Sequence, residues 1–116
     1  MENYIEEELI RGDSFVIEIE TEEDITMNDI DTLTLTARPY TDAEVLFEKN
    51  KDDFNIENNI ISVEILPEDT QELIYKSFGF DIEIVLKDKT TKTVLGRINL
   101  VKDYTTHKKG SDNSEN

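Results

Sequence analysis

The side chains that could do chemistry in this sequence are one histidine, a large number of carboxylates and an Arg-Gly-Asp tripeptide. His107 is the only histidine of the 116 residues. A general base needs fixed geometry within hydrogen-bond reach of its substrate. Residues 105–116 hold no large apolar side chain that could fix it, so His107 has no catalytic setting. Calcium would need six to eight converging oxygens, and its helix-loop-helix signature is D-x-[DN]-x-[DN]-G with a late Glu. The acidic stretches at 24–31 and 52–57 have neither that Gly nor that register. Paired carboxylates hydrolyse glycosidic bonds when their separation is right, but 28 acids do not single out two. Arg11-Gly12-Asp13 spells a tripeptide that some adhesion receptors recognise, yet Gly12 is also explained as a turn. The glycines at 12, 79, 96 and 110 form no phosphate-cradling loop. Tyr4, Tyr40, Tyr75 and Tyr104 are dispersed and lack the basic groove of a single-strand nucleic-acid platform. Cysteine is absent, which removes disulfides, thiolate metal sites and cysteine nucleophiles together. No catalytic, cofactor-binding or metal residue is therefore expected.

The elements that would position any such group read as strands. Phe15, Ile17 and Ile19 alternate with Val16, Glu18 and Glu20, and residues 32–38 alternate Thr with Leu33, Leu35 and Ala37. Such period-2 alternation places one set of side chains on each face of a strand. The pattern recurs at Ile61, Val63 and Ile65, at Phe80, Ile82, Ile84 and Leu86, and at Val94 or Leu95 with Ile98 and Leu100. Shorter strands are expected near residues 4–10 and at Val45 and Phe47, with residues 49–53 as a loop. Clean alternation with no helix-length amphipathic segment predicts antiparallel sheets with one wet face. Two such sheets bury their apolar faces on each other, so the expectation is an all-β sandwich of six or seven strands. Each large apolar side chain buried there contributes about 1.5 to 3 kcal/mol, and the core needs neither metal nor cofactor.

Gly12 breaks the pattern between the first two strands. Pro67 opens a short helical turn near 67–74, with acids in its first turn, that should cross from one sheet to the other. Residues 87–92 read as a polar hairpin loop, and Gly96 within the last strand marks a bulge or a close backbone approach. The sandwich is expected over 1–104, followed by a polar C-terminal tail at 105–116. These flanks, 1–10 and 102–116, are expected to bury little and to serve as docking elements.

The net charge is −16, and twelve acids against Arg11 alone place −11 of it in residues 1–31. A field of that sign repels phosphates and anionic lipid, so direct binding to nucleic acid or membrane is not expected. The amino terminus has no basic and apolar leader, and no apolar run approaches the roughly 18 residues of a membrane span.

The order of these pieces resembles a family of bacteriophage modules, the domain at the amino terminus of siphophage baseplate upper proteins and of small phage tail proteins. Gly12-Asp13-Ser14-Phe15 is similar to the family's Gly-Asp-Ser/Thr step into the first long strand. Leu66-Pro67, with Thr70 and Leu73 downstream, is similar to its Leu-x-Pro or Leu-Thr-Pro turn, and Gly79-Phe80-Asp81-Ile82 resembles its Tyr/Phe-Asp-Ile strand. The last strand begins near Gly96 and closes on Asp103-Tyr104-Thr105, as the family's closes on Asp-x-Thr. The likeness spans about residues 10–105. It implies an immunoglobulin-like virion protein, assembled in the host bacterial cytoplasm, that docks on or decorates a baseplate, tail or capsid in several copies. Its partners would be other virion structural proteins, and it would catalyse nothing. Baseplate upper proteins continue into helical, trimerising segments that carry receptor-binding proteins, whereas this sequence ends in a short polar stretch, so a receptor-carrying role is not implied. The acidic amino-terminal third motivates an alternative of another class, an inhibitor that mimics nucleic acid in the basic groove of a host defence or DNA-processing protein.

Overall fold

A computed structural model describes residues 4–101. They form eight strands, β1 (Tyr4–Ile10), β2 (Phe15–Glu20), β3 (Ile30–Arg38), β4 (Phe47–Lys49), β5 (Phe54–Glu57), β6 (Ile60–Ile65), β7 (Ser77–Leu86) and β8 (Thr91–Val101). One helical turn, α1 (Pro67–Thr70), and two 3-10 turns, Met27–Asp29 and Lys51–Asp53, complete the elements. Five strands pair in the order β1-β8-β7-β3-β4 and three in the order β2-β6-β5. With β3, β7 and β8 in one sheet facing β2, β5 and β6 in the other, the strand order is that of an immunoglobulin-like sandwich. The disulfide and core Trp of antibody domains are missing, since the chain has no Cys and no Trp.

The alternation read from the sequence is the alternation buried. Ile17, Ile19, Ile61, Val63 and Ile65 of the smaller sheet face Leu33, Leu35, Phe78, Phe80, Ile82 and Ile98 of the larger one. In β8 the inward set is Val94, Gly96, Ile98 and Leu100, which leaves Leu95 half exposed. Gly96 is no bulge, because β7 and β8 keep continuous register through it. It is a close approach: a Cβ there would overlap the Phe80 ring and stand 2.8 Å from the Ile5 carbonyl oxygen.

Four expectations are corrected. The sandwich is not wholly antiparallel, since β1 pairs parallel with β8, from Tyr4 opposite Leu95 to Ile10 opposite Val101. The turn at Gly12 sends β1 and β2 into different sheets, and β1 then meets β8 running in the same direction. Secondly, residues 4–10 contribute to the core through Leu9, which is 4% exposed. Thirdly, the strand expected at Val45 and Phe47 begins at Phe47 and runs through Lys49, and the loop at 49–53 gives way to a 3-10 turn and to β5, an eighth strand. Finally, α1 ends at Thr70, short of the expected 67–74, and Leu73 follows in a turn closed by its N–H on the Thr70 carbonyl at 3.0 Å. α1 does connect β6 of one sheet to β7 of the other.

Candidate functional site

The motif residues gather in two places. At one end of the sandwich the Gly12 N–H donates to Thr70 Oγ1 at 3.0 Å, joining two turns 58 residues apart. Gly12 has φ +89°, where a side chain would be strained, and Thr70 is fully buried. The Asp13 N–H closes the same turn on the Ile10 carbonyl at 2.9 Å. Pro67 sits in the first turn of α1, where its missing N–H costs nothing. Leu73 packs partly buried against the core. Arg11 clasps the far side of this corner: a terminal guanidinium nitrogen donates to the Tyr75 carbonyl at 2.6 Å, while Nε is buried with no partner among the described residues. The tripeptide is thus engaged in holding the corner. Gly79, Asp81 and Gly96 lie apart from it, in the middle of the β7–β8 pair, with Phe80 opposite Gly96 and Asp81 opposite Leu95. Asp103 and Thr105 fall outside the described residues, as do His107 and the tail.

Two of the acids that invited a metal reading, Asp29 and Asp53, are bound into turns, and so is Asp69 of α1. Asp29 Oδ2 accepts from the Thr26 N–H at 3.0 Å, Asp53 Oδ2 from the Asn50 N–H at 2.9 Å, and Asp69 Oδ2 from the Leu66 N–H at 2.7 Å. Each carboxylate thereby satisfies a backbone donor at the start of a helical turn, and its charge lies at the favourable end of the turn's dipoles. In the hairpin, Thr90 hydrogen bonds to Asp88 hold that carboxyl below its ordinary pKa. Among the described residues no group of three or more acids, His or Cys is placed to hold a metal ion, and no helix is long and apolar enough to cross a membrane.

One contact at the corner escaped sequence reasoning. Lys49, assigned to a polar loop by its neighbours, is 8% exposed and its Nζ lies 2.6 Å from Asp69 Oδ2. The signal that could have found it is phase: Lys49 stands two residues after Phe47, on the same face, and Phe47 packs edge-on against Phe78 at 5.4 Å. The buried ion pair fastens α1 to the edge strand β4.

Both sheets end in strands with one free side, β1 and β4 in the larger and β2 and β5 in the smaller. β1 and β2 flank the same open seam, a groove of about 1040 Å³. Along it an edge offers unpaired backbone groups, and its side chains are mostly acidic or apolar, with Tyr4, Thr21 and Asn59 among them and no Lys or Arg.

No family model matches the sequence, and no curated protein matches it. Among solved structures the chain is similar to a family 123 glycoside hydrolase from Clostridium perfringens, described for glycolipid glycan hydrolysis. The identity is 15% and the TM-score 0.47, over 87% of this chain and 23% of that one. It is also similar to the first Ig-like domain of human CD48 antigen, at 10% identity and TM-score 0.40, over 97% of this chain and 91% of that domain. This chain therefore spans less than a quarter of the hydrolase. At such scores the likeness carries neither an activity nor a partner.

Proposed function

We propose that the chain is a non-enzymatic structural protein of a bacteriophage particle, a β-sandwich that docks on or decorates a baseplate, tail or capsid assembly. The observation that carries this reading is the Gly12–Thr70 hydrogen bond. Two separate stretches that resemble the phage modules, the Gly-Asp-Ser step and the Leu-Pro turn, act as one unit of structure. Free strand edges supply a means of docking without chemistry. Incorporation tests the reading: full-length chain should be found in purified particles of the phage that encodes it. A version lacking residues 106–116 should keep its circular dichroism spectrum and melting temperature but enter particles several-fold less. Absence of the full-length chain from particles overturns the virion role, and full incorporation of the shortened chain overturns docking through the tail.

A second reading, the nucleic-acid mimic, draws on the carboxylates of β1 and β2 that line one groove, Glu6, Glu7, Glu18 and Glu20. It requires binding to a DNA-processing protein that duplex DNA displaces; no such binding at low salt removes it.

A further inference from the structure

We propose that the outer edge of β2 is a strand-acceptor site for an extended segment of a partner protein in which apolar and basic side chains alternate. The inference rests on the reading of the chain as a docking module and names the chemistry of what docks.

The four free edges are not equivalent. β4 and β5 are three and four residues long, too short for a stable added strand. β1 has seven residues, but Glu7 occupies the inward phase between Ile5 and Leu9, and an inward charge hinders pairing at an edge. β2 has six residues, about 20 Å of strand, paired on one side with β6. Among the described residues no backbone hydrogen bond reaches its other side. Its inward positions, Phe15, Ile17 and Ile19, are all apolar, and its outward ones are half-exposed Val16 with Glu18 and Glu20.

An incoming strand would alternate likewise. One set of its side chains would enter the groove, over Ile5, Ile17, Ile19 and Val94. The other would stand beside Val16, Glu18 and Glu20. Glu6, Glu7 and Glu22 complete a rim of five carboxylates with Glu18 and Glu20, and no Lys or Arg lines the groove. None of the five is in an ion pair among the described residues. Lysines or arginines on the outward set would meet cross-strand acids, the favourable pairing. A second copy of this chain is a poor occupant, because pairing β2 with itself brings Glu18 and Glu20 against like charges on molecules that each carry −16.

The test uses the full-length chain and the fluorescent peptide acetyl-Lys-Val-Lys-Thr-Lys-Val-Lys-amide, followed by anisotropy at low salt. Saturable binding is expected, together with amide shift changes and new hydrogen-exchange protection in Phe15–Glu20 by NMR. N-methylation of alternate peptide bonds on the pairing side keeps the charge but removes the donors, and should weaken binding at least tenfold. The surface double variant Glu18→Lys/Glu20→Lys should do the same while its melting curve stays near that of the parent. Equal binding of the methylated peptide, or perturbation away from β2, overturns strand addition. A tenfold gain in affinity on removing residues 102–116 also overturns the proposal, since the chain's own end would then be the occupant. These outcomes are independent of particle incorporation, so either proposal can fail alone.

Discussion

Gly96 shows how one missing side chain holds three strands together. It faces inward from β8, with Ile5 of β1 on one side and Phe80 of β7 on the other. Replacing it by Ala forces the Phe80 ring out of the core or β1 off its ladder, since the new methyl would overlap both. Overpacking of this kind costs about 1 to 3 kcal/mol, and urea denaturation should show that loss as a lower midpoint with an unchanged slope. The residue was legible as an anomaly within an alternating run, but which of two explanations held depended on Phe80, sixteen positions away in a different strand. Gly12 was legible for its turn and not for its partner Thr70, because a hydrogen bond across 58 residues leaves no mark in local spacing.

Among the elements, those whose apolar residues alternate over five or more positions were readable, and β2, β3, β6, β7 and β8 are of this kind. β5 was missed because Phe54-Asn55-Ile56-Glu57 offers only two apolar positions directly after a charged run. β4 was displaced because its inward position is filled by Lys49, which a binary pattern assigns to solvent. The parallel pairing of β1 was unreadable in principle: alternation tells which side chains face in, not which way the neighbouring strand runs. The candidate docking groove was hidden for the same reason, as it depends on β1 and β2 lying in different sheets and leaving a seam between them. α1 gives the sharpest test of how elements are fastened. Asp69→Ala leaves the buried Lys49 ammonium without its partner and frees the Leu66 N–H. Breaking such a pair costs about 3 kcal/mol. The double variant Lys49→Met/Asp69→Asn removes the charge and keeps an acceptor for Leu66, so it should recover most of the loss in the same denaturation assay.

On the scale of the whole molecule, the two ends of the sandwich differ. One carries the Gly12–Thr70 corner, with Ile74 86% exposed beside it. The other carries the acid-rich turns around Glu22, Asp29 and Asp88. The parallel pair β1–β8 links these ends, because the chain passes Tyr4 near the acidic end and leaves Val101 at the corner. Tension between those points therefore pulls the two strands past each other along their length. All seven paired positions must yield together, whereas a hairpin pulled from its open end parts one pair at a time. Stretched by tethers at residues 4 and 101, the domain should rupture in one step at a higher force than when tethered at 77 and 99, the open end of the β7–β8 hairpin. Forced unfolding follows the barrier and not the equilibrium stability, so this resistance should persist in variants with modest losses of stability outside β1 and β8. A module gripped at both ends by its neighbours would act as a mechanical link, stiff along the line of load.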